Sequence, residues 1–163
     1  MLGIEARFDH VAHAARSIRS LLPLYRDLLG GVFVGGGDNP AVGFRAAQLR
    51  FSNGARVELL QPLEGSTFLD SFFRRNGEGG LHHVTFKVDD IEVALAAARA
   101  SGREPFAVNL GRPQWREFFL HPRDASGALI QVASSAAEWD PATAPPPPFS
   151  LEDFLGRGGA AWF

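Results

Sequence analysis

Between residues 82 and 88 apolar and polar side chains alternate, so that Val84, Phe86 and Val88 share one face of an extended segment and His83, Thr85 and Lys87 share the other. Residues 8–14 make a second such strand. Behind each lies a helical pattern: residues 17–29 place Leu21, Leu22, Leu28 and Leu29 on one side, and residues 90–101 do the same with Ile91, Ala94, Leu95 and Ala98. Ser17 and Asp90 are suited to cap the helix starts, and Gly30 and Gly102 to close them. Pro23 is compatible with the first helix only as a first-turn residue. Three strand-like runs follow each helix, over 31–36, 43–51 and 55–61 and again over 104–108, 115–121 and 128–133. Turn sequences such as Ser52-Asn53-Gly54 and Asp124-Ala125-Ser126-Gly127 separate them. The predicted order is βαβββ, twice.

The two copies are also related residue by residue. Displacing the chain by 73 positions brings His10-Val11 onto His83-Val84, Ile18 onto Ile91, Leu22 onto Leu95, Phe33 onto Phe106, and Gly54-Ala55 onto Gly127-Ala128, all without a gap. Val57 falls on Ile130, Leu59 on Val132 and Glu58 on Gln131. A unit of about 55 residues present in two copies is too long and too few for a solenoid. The expected organisation is a first module over 7–61, a connector over 62–81 with a short helix at Thr67–Arg74, a second module over 82–134, and a Pro-rich extension over 135–163. In that extension Pro141 and the run Pro145 to Pro148 cannot pair in a sheet, and Phe149–Leu155 has room for at most two helical turns. Such a segment is expected to be flexible or draped over the surface. Its apolar residues, Phe149, Leu151, Phe154, Leu155, Trp162 and Phe163, leave open a lid or a homodimer contact.

Composition narrows the chemistry. With 163 residues, 45% of them hydrophobic, the chain can bury a core, which excludes disordered, collagen-like and coiled-coil classes. A net charge of -2 gives no sequence-wide attraction to nucleic acid or to an anionic membrane. No stretch approaches the roughly 20 apolar residues of a membrane span, and the first residues do not form a signal sequence, so a cytoplasmic protein is expected. The absence of Cys removes disulfides, thiolate nucleophiles and sulfur-ligated metals, leaving His and carboxylates as the strong ligands. All but one of the 16 basic residues are Arg, Lys87 being the exception, so a lone Arg says little about phosphate.

The repeat ties four positions together. Glu58 follows His10 by 48 residues and Gln131 follows His83 by the same 48, so each copy offers an imidazole in its first strand and an oxygen donor in its last. Either His alone reads more readily as a core or surface residue; its recurrence in register with a partnered oxygen reverses that. If the copies face a shared cleft, two His and two oxygens suit a borderline divalent metal such as Co, Zn, Ni, Mn or Fe, with positions open to water or substrate. His13 and His82 have the opposite strand parity to His10 and His83 and are read as non-ligands.

These residues resemble the vicinal oxygen chelate superfamily (glyoxalase, bleomycin resistance and dioxygenase proteins), in particular its methylmalonyl-CoA epimerase-like and glyoxalase-like branch. The motifs that carry the resemblance are Asp9-His10-Val11, Val57-Glu58-Leu59-Leu60-Gln61-Pro62, Gly77 through Val84, Val88-Asp89-Asp90-Ile91, Phe119-Leu120-His121-Pro122 and Gly127-Ala128-Leu129-Ile130-Gln131. They span about residues 8–133, and the double His leading into Val-Asp-Asp-Ile is the most specific. The resemblance implies an α+β fold in which two tandem βαβββ modules form an incomplete barrel around a metal cleft. It also implies one divalent ion held by His10, Glu58, His83 and Gln131, and a small-molecule substrate of the acyl-CoA kind. That branch typically carries Glu where this chain has Gln131. An amide can coordinate through its oxygen but cannot move a proton.

The implied activity is a metal-dependent isomerase, epimerase or lyase that moves a proton α to a carbonyl or thioester, with Glu58 and Gln131 as the catalytic candidates and Glu58 as the base. Chemistry on the second face of a planar intermediate would fall to Glu117 or His121, each of which also reads as structural. Arg112 and Arg116 are candidate phosphate or carboxylate partners. Two alternatives stay open. His10, His83 and Glu58 alone would make the two-His-one-carboxylate set of a non-haem Fe(II) ring-cleaving dioxygenase, and the superfamily also includes non-catalytic drug-binding proteins.

Overall fold

The strand registers carry the repeat into three dimensions. β1 (Ala6–Ala15) runs parallel to β4 (Arg56–Pro62) with Val11 opposite Val57 and Ala12 opposite Glu58. β5 (Gly79–Val88) runs parallel to β8 (Ile130–Ser134) with Val84 opposite Ile130 and Thr85 opposite Gln131. Both pairs are related by the same displacement as the sequence copies. β2 (Val32–Asn39) pairs antiparallel with β3 (Phe44–Arg50), and β3 with β4. β6 (Pro105–Asn109) and β7 (Arg116–Leu120) repeat that arrangement beside β8. The hydrogen-bonded order is β2-β3-β4-β1-β5-β8-β7-β6, a mixed, open sheet, and with its helices the fold is α+β. These features are those of the computed structural model, which describes residues 3–112, 114–135 and 147–157. No helix among the described residues is long and apolar enough to cross a membrane.

The chain forms two compact units, one of Met1–His10 with His83–Asp140 and one of Val11–His82 with Pro141–Phe163. In the first, α2 (Ile91–Ala100) starts at Asp90, whose carboxylate accepts from the backbone N–H of Glu92 and Val93, as a cap should. Its Ile91, Ala94 and Leu95 pack on Phe118, Val132 and Val88. Because strand side chains alternate, this leaves His83, Thr85, Glu117, Phe119 and Gln131 on the other face of β5, β7 and β8.

In the second unit both faces of the sheet are covered. Phe72 and Phe73 of α1 (Asp70–Asn76) pack with Ala12, Ala14, Ala46 and Leu60. On the opposite face Ala47, Leu49 and Leu59 pack with Ile18 and Leu22. The single α-helix expected over 17–29 is instead a 3₁₀ turn, Ile18–Leu21, followed by a π-helical turn, Pro23–Leu28. Pro23 has no N–H with which to continue an α-helical ladder. Leu22 therefore donates back to the Arg19 carbonyl, and Leu29 reaches five residues back to that of Leu24 at 3.0 Å.

The C-terminal extension departs from the expected flexible or draped segment over its described residues. α3 (Leu151–Arg157) buries Leu151 and Phe154 in the core of the second unit, with Phe154 stacked on Phe33 at 5.6 Å. Gly36 makes room for this: a Cβ there would stand 2.5 Å from the Ala46 carbonyl oxygen and 3.0 Å from the Phe154 ring. Arg45 adds a cation–π contact to Phe154 at 5.4 Å, and Glu152 pairs with Arg19 and Arg26. α3 joins the face of β3 and β4 that carries Ala47, Leu49 and Leu59, opposite to the face of Gln48 and Glu58, so it is no lid over that carboxylate. Trp162 and Phe163 lie outside the described residues.

Candidate active site

The first unit holds three of the four predicted ligands. His10, His83 and Gln131 are all buried, and the two imidazoles meet edge to face with centroids 5.7 Å apart. His10 Nδ1 lies 2.6 Å from Asp9 Oδ2, itself buried. A carboxylate only accepts, so the proton of the neutral ring sits on Nδ1 and Nε2 presents its lone pair. Thr85 Oγ1 lies 3.0 Å from Nε2 and 2.5 Å from Gln131 Oε1, two acceptors that compete for its single proton. The other side of the same amide donates from Nε2 to Glu117 Oε2 at 2.5 Å, and Trp115 Nε1 donates to the same oxygen at 2.7 Å. Asp9, His10, Thr85, Gln131, Glu117 and Trp115 thus form one continuous polar chain. Phe119, opposite Gln131 on β7, closes one side of His83 with ring centroids 6.1 Å apart.

The fourth predicted ligand, Glu58, is buried in the second unit on β4. It lies opposite Ala12, two residues beyond His10 along β1. Gln48 faces it across the β3–β4 ladder and donates from Nε2 to Glu58 Oε1 at 3.4 Å. Arg56, also buried, donates to Gln48 Oε1 at 3.1 Å. The amide of Gln48 is thereby held with its nitrogen toward the carboxylate and its oxygen toward the cation.

The remaining candidates separate clearly. His82 points to the opposite face from His83, as its parity requires, and lies 5.0 Å from Phe72 between ring centroids. Burial, and then the charge of Arg75, lower its pKa to about 4. His13 hydrogen-bonds with the Tyr25 hydroxyl at 2.9 Å, and burial lowers its pKa too. His121 caps a 3₁₀ turn, its Nδ1 accepting from the Arg123 backbone N–H at 3.2 Å. Arg116 is paired with Glu92, and Arg112 is exposed. Glu117, by contrast, is in direct contact with Gln131. Sequence reasoning assigned no role to Asp9, Thr85, Gln48, Arg56 or Trp115. A signal existed for Thr85, which shares the polar face of β5 with His83, and for Gln48, the one uncharged polar residue in an otherwise apolar stretch of β3.

The first unit thus buries two imidazoles and an amide oxygen together, one imidazole beside a carboxylate, and the second unit buries a carboxylate held by an amide. A family model described as the Glyoxalase/Bleomycin resistance protein/Dioxygenase superfamily matches residues 9–119, and the chain belongs to that superfamily. The relatives it matches are methylmalonyl-CoA epimerases, enzymes of the isomerase class. Ethylmalonyl-CoA/methylmalonyl-CoA epimerase of Cereibacter sphaeroides is 33% identical over 132 residues, which cover 77% of this chain and 96% of the relative. The solved structure of methylmalonyl-CoA epimerase from Mycobacterium tuberculosis aligns with a TM-score of 0.69 at 27% identity, over 80% of this chain and 89% of that one. A variant of the Streptomyces coelicolor methylmalonyl-CoA epimerase, solved in complex with 2-nitronate-propionyl-CoA, aligns with a TM-score of 0.69 at 29% identity, over 83% of this chain and 97% of that one.

Proposed function

We propose that this chain is an isomerase of acyl-CoA thioesters that moves the proton α to the thioester carbonyl, as a methylmalonyl-CoA epimerase does. We further propose that it uses one divalent ion (Co, Zn, Ni, Mn or Fe) held by His10, Glu58, His83 and Gln131. In this reading the copies over 7–61 and 82–134 each contribute one imidazole and one oxygen. The observation that carries it is the buried chain from Asp9 through His10 and Thr85 to Gln131, beside His83. Its donor chemistry fits such an ion: Asp9 leaves a nitrogen lone pair on His10, and the amide oxygen of Gln131 is turned to the same hydroxyl.

When bound, the ion supplies Lewis acidity that favours negative charge on the thioester oxygen. The residues do the rest. Asp9 keeps His10 in a single tautomer and orientation. Glu58 takes the α-proton: the C–H bond breaks, its electron pair passes into the enolate, and the proton becomes the O–H of Glu58. Return of the proton from Glu58 re-forms the original thioester and frees the carboxylate, whereas protonation by water on the other face, with Glu58 giving its proton to the hydroxide left behind through solvent, inverts the centre. Gln131 orients and cannot exchange a proton. Gln48, with Arg56 behind it, directs an N–H at the carboxylate and holds it in place.

The test is metal analysis of the purified protein followed by incubation with methylmalonyl-CoA in deuterated water. About one divalent ion per chain and deuterium at the α-carbon, both lost on chelation, support the reading. No deuterium in the metal-loaded protein, together with oxygen uptake on a catechol by the iron form, would replace it with the ring-cleaving dioxygenase reading.

A further inference from the structure

We propose that Glu117 is a positioning residue whose carboxylate forces the side-chain amide of Gln131 to turn its oxygen toward His10, making a neutral amide a dedicated oxygen donor. The inference rests on the metal reading for its consequence and on geometry alone for its cause.

The amide of Gln131 is gripped from both sides. Thr85, fully buried, is its register partner on β5 and donates to Oε1 at 2.5 Å. Glu117 stands on the same face of β7 as Phe119, the register partner on the other side, and accepts from Nε2 at 2.5 Å. Thr85 alone cannot decide which way the amide faces, because a hydroxyl both donates and accepts. A carboxylate can decide, because it has only acceptors: a flipped amide would press its oxygen against Glu117 Oε2. Trp115 holds Glu117 to this task, since an indole N–H can only donate and it donates to that same oxygen at 2.7 Å. Glu117 is thus the element that breaks the symmetry of the amide, and the oxygen so directed stands with His10 Nε2 around the Thr85 hydroxyl, whose single proton serves one of them at a time.

Two measurements separate this inference from the metal reading. The first uses the metal-free protein: the side-chain amide ¹H–¹⁵N pair of Gln131, identified by its loss in Gln131→Ala, should be displaced and slow to exchange, and Glu117→Leu, which has no acceptor, should return it to the ordinary position and rate. A pair that Glu117→Leu leaves in place would overturn the inference whether or not metal binds. The second is cobalt(II) affinity by calorimetry. Glu117→Leu and Gln131→Ala should each weaken binding about 10–100-fold, and the double variant should be no weaker than Gln131→Ala, because Glu117 acts only through Gln131. Losses that add would show Glu117 acting by another route and would also overturn it. An intact protein that binds no cobalt, with the Gln131 pair responding to Glu117→Leu as expected, would refute the metal reading and leave the positioning in place.

Discussion

The last two strands of each copy carry the same two chemical groups in opposite order. On β3 and β4 an amide, Gln48, donates to a carboxylate, Glu58; on β7 and β8 a carboxylate, Glu117, accepts from an amide, Gln131. The backbone registers beneath them match, Ala12 opposite Glu58 and Thr85 opposite Gln131. The surroundings diverge with the order. Behind Gln48 stands the buried cation of Arg56, and beside Glu117 the N–H of Trp115. Register follows from the apolar face of each strand, which must meet its own core, so it survives in both copies. The face that carries Glu58 and Gln131 holds polar groups as well as packing, and there the copies have different chemistry. Only one copy places a group able to carry a proton at the predicted oxygen-donor position of its last strand.

The sharpest way to break this comparison is to remove one imidazole. His83→Ala should weaken metal binding by more than about 100-fold, while His82→Ala, on the opposite face, should retain it. Equal retention in titrations of the two variants would end the assignment of ligands by strand parity. Next in size is the packing of α3, which only the second unit has. Phe154→Ala removes a buried ring stacked on Phe33 and should cost about 3 kcal/mol in denaturant unfolding, with metal affinity unchanged because the ring lies on the face opposite Glu58. A tenfold loss of metal affinity would show that α3 supports the site. The smallest effect is a pH dependence from His82. Its pKa in the folded chain is about 4 against an ordinary 6.5, so below pH 6.5 the unfolded chain takes up a proton that the folded chain refuses. That contribution is present above pH 6.5 and is lost as the pH falls towards 4. His82→Phe should flatten this slope in unfolding experiments, and an unchanged slope would place its origin elsewhere.

Much of this was legible in the sequence because it follows from periodicity. The parity that separates His83 from His82 is a property of any strand, and the gap-free match of His10-Val11 to His83-Val84 anticipates the parallel pairings of β1 with β4 and β5 with β8. The segment after Ser17 is helical as expected, but its 3₁₀ and π turns are not legible, because a proline early in a pattern suits either a first turn or a break, and the choice depends on which carbonyls the neighbouring N–H groups can reach. The docking of α3 could not be read from a Pro-rich composition. It depends on Gly36 leaving space beside Ala46, a contact between residues more than a hundred positions apart. The partners of the site residues, Thr85 for Gln131 and Gln48 for Glu58, were hidden for a similar reason: pairing across strands is set by register, which the sequence shows only as alternation.

The most direct test of the inverted order is solvent deuterium exchange at the α-carbon of methylmalonyl-CoA, measured for the metal-loaded protein and its Glu58→Gln and Gln131→Ala variants at saturating metal. If Glu58 is the proton carrier and Gln131 only an oxygen donor, Glu58→Gln should lower the exchange rate on the order of 10²–10⁴-fold with metal still bound, while Gln131→Ala should lose far less once metal is saturating. Exchange at the unmodified rate in metal-loaded Glu58→Gln would contradict the account.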